Sequence, residues 1–90
     1  MKKINPLLSI VIPVYNEVES LPILQQAIHK ALQGITSLSW EVIYVDDGSK
    51  DGSVDILEKL ATDDPDHICV VALRRNFGQT TAIAAGIDYA

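Results

Sequence analysis

Trp40-Glu41-Val42-Ile43-Tyr44-Val45, followed without a break by Asp46-Asp47-Gly48-Ser49, is the stretch that decides the architecture. The run is rich in β-branched and aromatic residues, which favours a strand. Its apolar character is nearly continuous rather than alternating. Strands that read this way are buried on both faces, as in a parallel sheet covered by helices. Two further runs, Leu7 to Val14 and Ile68 to Leu73, have the same texture.

The segments between these runs have helical period. Leu21, Leu24, Ile28, Leu32 and Ile35 fall on one face, with Gln25, Gln26, His29 and Lys30 largely off it. Asn16 or Ser20 is placed to cap this helix, Pro22 is compatible with its first turn, and Gly34 lies near its end. A second helix is expected after Asp51, with Val54, Leu57, Leu60 and Ala61 inward and Asp63-Asp64-Pro65 as its stop. A third starts near Gly78 and runs through Thr80, Ala82, Ile83 and Ile87 to Ala90. The chain ends inside that pattern and reads as a truncation. The order β-α-β-α-β-α predicts an α/β fold with a doubly wound, Rossmann-like parallel sheet of strand order 3-2-1. Ligands of such sheets sit beyond the carboxyl ends of the strands. Chemistry is therefore expected just after Val14, Val45 and Leu73.

Ninety residues suffice for one compact unit. An apolar fraction of 48% and a charged fraction of 21% are those of an ordinary globular protein. No apolar run approaches the ~20 residues of a membrane span. The basic start Met1-Lys2-Lys3 leads into a short apolar stretch broken by Pro13, without a small-residue cleavage site, so no signal peptide is read. The single cysteine, Cys69, lies in an apolar run and reads as a buried, inert thiol in a reducing, cytoplasmic setting. A net charge of −5 argues against a nucleic-acid partner, which needs a basic stripe. An acidic chain holds a diphosphate only through helix N-termini, placed arginines or a divalent cation. His29 and His67 have no metal-ligand spacing and read as surface residues.

Each strand end carries its own chemistry. After the first comes Pro13-Val14-Tyr15-Asn16-Glu17, where a dinucleotide-binding enzyme would have a glycine-rich turn. Tyr15 can stack on a flat base, and Asn16 and Glu17 can hydrogen-bond. Equally, Asn16 can serve as a helix cap, with Glu17 favoured by the helix dipole. After the second come Asp46, Asp47, Gly48 and Ser49. Adjacent carboxylates at the end of a buried strand need donors or a cation, and they match base N–H groups or ribose hydroxyls. Turn chemistry is the other reading, and for Asp51, Gly52 and Ser53 it is the preferred one. After the third comes Arg74-Arg75-Asn76-Phe77-Gly78-Gln79. Arg75 can reach a base carbonyl or a phosphate, and Gly78 opens a helix whose free N–H groups face a ligand. Alternatively the two arginines are solvated and salt-bridged to the aspartates.

SIVIPVYNE, EVIYVDDGSKDGS and RRNFGQTTAIAAGIDYA resemble glycosyltransferase family 2, of GT-A fold, in order, spacing and context. The resemblance covers essentially the whole chain, residues 1–90, but only the opening, nucleotide-binding portion of the family's catalytic domain. RNFGQ looks most like the polyprenyl-phosphate branch, which includes dolichol-phosphate mannosyltransferase. Lys50 departs from the serine or threonine often found there. The resemblance implies that Pro13 and Tyr15 flank the base and that Glu17, with Asn16 beside it, adjoins the nucleotide. It gives Asp47, beside Asp46 and the Gly48-Ser49 turn, hydrogen bonds from base or ribose. Arg75 and Gly78 complete the pocket. It further implies an inverting transfer from a UDP- or GDP-linked sugar to a polyprenyl phosphate, with Mg²⁺ or Mn²⁺ held by an Asp-x-Asp motif. That motif follows a fourth strand in the family and is missing here. No catalytic residue and no complete metal site are therefore expected in this chain, which alone should be inactive. The parent is expected at the cytoplasmic face of a membrane through downstream helices. Self-association or only marginal stability of this piece is expected, because the first strand lacks the family's flanking fourth strand.

Rival readings fail at particular residues. A haloacid-dehalogenase-type phosphatase would need its nucleophile where Val45 stands. A receiver domain carries its acidic pair after the first strand, where this chain has Pro13-Val14-Tyr15. A non-catalytic nucleotide-binding or structural module is the alternative that survives.

Overall fold

The computed structural model describes residues 8–33 and 39–89, so the expectations at Leu7, Gly34, Ile35 and Ala90 lie outside the described residues. Three strands and three helices alternate: β1 (Leu8–Val14), α1 (Leu21–Gln33), β2 (Trp40–Asp46), α2 (Ser53–Asp63), β3 (Ile68–Ala72) and α3 (Gln79–Tyr89). The strands form one parallel sheet in the order β1-β2-β3. This is the predicted α/β unit, with the predicted neighbours.

β2 has a partner on each side and helices on each face, and all seven of its residues are buried. Among the described residues β1 and β3 have one neighbour each, and most of their residues are only half-buried. Successive side chains of β2 point to opposite faces. Trp40, Val42 and Tyr44 join Leu21 and Leu32 of α1 and Leu57 of α2 in one core. Ile43 and Val45 pack with Ala82 of α3 in the other. α3 lies close to the sheet because Gly86 has no side chain. A Cβ there would come within 2.9 Å of Val45 Cγ2 and nearer still to Val11 Cγ1.

Three details differ from the sequence reading. The inward face of α1 includes Gln25, 6% exposed, while Leu24 is 38% exposed. The Tyr44 hydroxyl is buried beneath α1 and donates to Gln25 Oε1. A buried hydroxyl needs a partner, so the helix turns a polar residue inward. Asn16 does not cap α1. It sits at φ 53°, and its side chain accepts from Lys50 N instead. His29 and His67 are not isolated surface groups. His67 stacks on Trp40 at 3.9 Å between ring centroids and His29 meets Trp40 edge-on at 5.7 Å. His67 Nδ1 lies 3.1 Å from Asp64, the residue that ends α2, and His29 Nδ1 lies 3.9 Å from it. The large Trp40 ring at the amino end of β2 needs cover, and these imidazoles supply it.

One buried group near the start of β2 falls outside the apolar pattern, and the expectation of a buried Cys69 is corrected. Glu41 is 2% exposed, and its carboxylate accepts from Ser9 Oγ at 2.7 Å and faces Cys69 Sγ at 4.0 Å. Cys69 is half-buried rather than sealed.

Candidate functional site

Parallel pairing aligns the carboxyl ends of all three strands. Val14 pairs with Asp46, and Asp46 pairs with Ala72. The loops that follow, residues 15–20, 47–52 and 73–78, must therefore leave the sheet on one rim. Backbone bonds fasten their roots: Asp47 N donates to Val14 O and Leu73 N to Asp46 O, both at 2.8 Å.

The first and second loops are joined by side chains whose residue types suit turns. Asn16 N donates to Ser49 Oγ at 2.8 Å, and Lys50 N returns a bond to Asn16 Oδ1 at 2.9 Å. Glu17 N donates to Ser53 Oγ at 3.0 Å and Val18 N to Asp51 Oδ2 at 3.1 Å. Asp51 also accepts from Ser53, and that side-chain bond is the main reason its carboxyl is held below the usual value. Asp51 and Ser53, read from sequence as turn residues of α2, thus also tie α2 to the entrance of α1.

The second and third loops meet at Asp47. Its carboxylate, 3% exposed, accepts from three donors. Phe77 N reaches Oδ1 at 2.8 Å, and Gly78 N and Asn76 Nδ2 reach Oδ2 at 3.0 and 3.1 Å. Asn76 Nδ2 also lies 3.3 Å from the Asp47 carbonyl oxygen. A carboxylate offers roughly four acceptor positions. Two donors fill Oδ2 and one reaches Oδ1, which leaves Oδ1 with one acceptor position. Gly48 makes this closeness possible. It sits at φ 76°, and a Cβ there would stand 2.5 Å from Asn76 N and 2.7 Å from Arg75 Cα.

Asp46 is fully buried. Its Oδ2 accepts from Ser49 N at 2.9 Å, which shapes the turn. Its Oδ1 is the one buried side-chain polar atom without a hydrogen-bond partner among the described residues. Arg74 and Arg75 form no ion pair with these aspartates; the Arg75 guanidinium instead lies 4.8 Å over the ring of Phe77. The salt-bridged alternative is thereby corrected.

The rim carries a hollow of ≈ 380 Å³ over the first loop, lined by Asn16, Glu17, Val18, Glu19, Ser20 and Asp51, and two further hollows that adjoin each other. One, of ≈ 340 Å³, is lined by Pro13, Tyr15, Glu17, Asp47, Asn76, Gly78 and Gln79, among others. The second, of ≈ 410 Å³, is lined by Tyr15, Asp46, Gly48, Ser49, Lys50, Arg74, Arg75 and Asn76 among others. Tyr15, 46% exposed, and Asn76 border both. Of the ten residues expected at a binding site, Pro13, Tyr15, Glu17, Asp47 and Gly78 face the first hollow. Asp46, Gly48, Ser49 and Arg75 face the second. Asn16 faces neither of these; it borders the hollow over the first loop and holds that loop to the second. Sequence reasoning assigned no role to Asn76 or Gln79. The polar side chains flanking a glycine at the entry of α3 were the available signal. A larger hollow of ≈ 530 Å³ lies between α1 and α2 around Gln25, His29 and Asp64, away from the strand ends.

Among the described residues no group of three or more His, Cys, Asp or Glu side chains is placed to hold a metal ion. Asp47 is taken up by protein donors and Asp46 is sealed from solvent. These two carboxylates do not fit a divalent cation of the Asp-x-Asp kind.

The sequence model described as glycosyl transferase family 2 matches residues 9–90. An undecaprenyl-phosphate 4-deoxy-4-formamido-L-arabinose transferase of Pectobacterium carotovorum is 50% identical over 82 residues, covering 91% of this chain and 25% of that protein. The protein of the same name from Yersinia enterocolitica is 50% identical over 80 residues, covering 89% of this chain and 24% of its own. Among solved structures, a mannosyltransferase from Pyrobaculum calidifontis in complex with GDP-Man and Mn²⁺ superposes with a TM-score of 0.72 at 22% identity. It covers 96% of this chain and 25% of that one. The chain thus spans about a quarter of the length of the curated relatives it matches.

Proposed function

The chain belongs to glycosyl transferase family 2, and from that premise we propose that residues 1–90 are the nucleotide-sugar-binding opening of an inverting glycosyltransferase. The donor is a UDP- or GDP-linked sugar and the acceptor a polyprenyl phosphate. The names of the undecaprenyl-phosphate relatives support this acceptor class.

One observation carries the reading. Tyr15, Glu17 and Asp47, whose carboxylate keeps one acceptor position unfilled by protein donors, line the same ≈ 340 Å³ hollow at the strand ends. Tyr15 supplies a half-exposed aromatic face for a base. Asp47 accepts an N–H of the base or an O–H of the ribose. Its other three bonds hold it in place, so little ordering is left for ligand binding to impose. Pro13 closes the side of the hollow. Arg75 and Lys50 bring positive charge from the neighbouring hollow to a chain whose net charge is −5.

Mg²⁺ or Mn²⁺ in the complete enzyme would neutralise charge on the leaving diphosphate. The residues described here do not form its site, so what this chain contributes is binding and orientation of the nucleoside. On this reading the catalytic groups and the ion's ligands lie in the rest of the parent, and this chain alone binds without turnover. Among the described residues no helix is long and apolar enough to cross a membrane. Attachment to the cytoplasmic face belongs, on the same reading, to the parent's remaining segments.

NMR titration with uridine diphosphate, guanosine diphosphate and NAD tests the assignment. A nucleoside diphosphate should bind in preference to NAD, shift the amides of residues 15–17 and 76–79, and lose binding in Asp47→Ala. Preference for NAD, or shifts confined to the hollow between α1 and α2, would overturn it.

A further inference from the structure

We propose that Asn76 is the positioning residue for the Asp47 carboxylate, setting which acceptor position of that carboxylate is left open toward the cleft. The consequence for ligand binding rests on the nucleotide-binding reading above; the placement itself does not.

Three donors converge on Asp47, and two of them, Phe77 N and Gly78 N, are main-chain groups that any residue at those positions would supply. Asn76 provides the remaining donor and the only one from a side chain. Its Nδ2 lies 3.1 Å from Oδ2 and 3.3 Å from the carbonyl oxygen of the same aspartate. One amide thus spans the main chain and side chain of Asp47. That grip resists rotation of the carboxylate relative to its own backbone. The two main-chain donors bond the carboxylate alone and do not tie it to the Asp47 carbonyl.

The arrangement also divides the two oxygens. Oδ2 receives two donors and Oδ1 one, so the open position is on Oδ1. Without the Asn76 amide, Oδ2 regains an acceptor position and the carboxylate gains freedom to turn. A ligand donor then meets two competing acceptor sites instead of one held in place. Hydrogen bonds to ionised groups are among the stronger ones in proteins, so the loss should register in binding.

The charged groups around this point come from three elements. The first loop contributes Glu17. The second strand and its loop contribute Asp46 and Lys50, and the third loop contributes Arg74 and Arg75. Asn76→Asp would place a second carboxylate within hydrogen-bond distance of Asp47 and Asp46 one residue away. Two carboxylates so close do not both ionise freely, and the pair retains a proton above the ordinary carboxylate range. Loss of an ordinary loop contact would give no such signature.

The test uses the 90-residue chain in two measurements. In the wild type, acid titration followed by NMR should move the Asn76 side-chain amide and the Phe77 and Gly78 N–H resonances together, with one midpoint. Separate midpoints, or an Asn76 amide that stays still, would overturn the proposal without reference to any ligand. In the second, binding of uridine and guanosine diphosphate is measured against pH. Asn76→Ala should weaken binding about tenfold, evenly between about pH 5 and 8. Asn76→Asp should be at least as weak at about pH 8 and recover as pH falls and the pair takes up its shared proton. Parallel pH profiles for the two variants would overturn the positioning role. A wild type that binds neither nucleotide would end the functional reading, and the acid titration would still decide the placement of Asn76.

Discussion

Replacing Gly48 by alanine isolates how tightly the second and third loops are locked. Two effects should add. Gly48 sits at φ 76°, a left-handed conformation that costs an alanine about 1–2 kcal/mol. A Cβ would also stand 2.5 Å from Asn76 N and 2.7 Å from Arg75 Cα, both main-chain atoms with no rotamer by which to retreat. Relief requires the third loop to withdraw, which strains the bonds that Phe77 N and Gly78 N make to Asp47. Overpacking of this kind typically adds about 1–3 kcal/mol. Two controls carry only the first effect. Gly52 has φ 92° with the nearest atom to a Cβ at 3.9 Å, and Gly78 has φ 103° with nothing within 4 Å. Urea unfolding followed by circular dichroism measures all three. With a slope of about 1 kcal/mol per molar urea for a chain this small, Gly48→Ala should have a midpoint about 1–3 M below those of Gly52→Ala and Gly78→Ala. Three equal midpoints would mean that the loops do not press on one another, and the interlocked rim described above would be wrong.

Two further outcomes follow from particular contacts. Burial pushes the Tyr44 phenol from an ordinary value of 10.0 up to about 12. Between those values the unfolded chain gives up a proton that the folded chain keeps, so stability should be intact below pH 10 and fall as pH rises toward 12. Tyr44→Phe should flatten that fall while lowering stability at pH 7, because Gln25 Oε1 loses its donor. A wild-type curve flat through this alkaline range would refute the burial argument. In addition, β1 pairs only with β2 among the described residues, so its other edge presents unpaired backbone groups. Sedimentation should therefore show concentration-dependent association of this chain; a monomer at all concentrations would count against it.

Much of the fold can be read from the chain because a strand buried on both faces has no choice of residue type. The continuous run from Trp40 to Val45 marks the central strand, and its two flanking runs mark the neighbours. The exceptions are long-range pairings. Glu41 lies inside the sheet because Ser9, thirty-two residues away, offers its carboxylate a hydroxyl. Gln25 displaces Leu24 from the core because Tyr44 needs an acceptor. His29 and His67 cover Trp40 although each looks like a solvated residue in its own window. In each case one partner's demand is satisfied by a residue that local periodicity cannot connect to it.

The candidate site divides along the same line. Sequence by itself determined that Pro13, Tyr15, Glu17, Asp46, Asp47, Arg75 and Gly78 lie at or just beyond the carboxyl ends of strands, since parallel strands joined by crossovers must all end on the same side. Tertiary structure alone decided how they are grouped. It places Asp47 in one hollow and Arg75 in the next, commits Asp46 to a turn, and sets Asn16 to bracing the loops. It also adds Asn76, whose amide reaches across twenty-nine residues of chain to Asp47. The physical reason is that connectivity specifies the rim a loop reaches. Which donors meet which acceptors there depends on sub-ångström packing, such as the space left by a missing Cβ at Gly48.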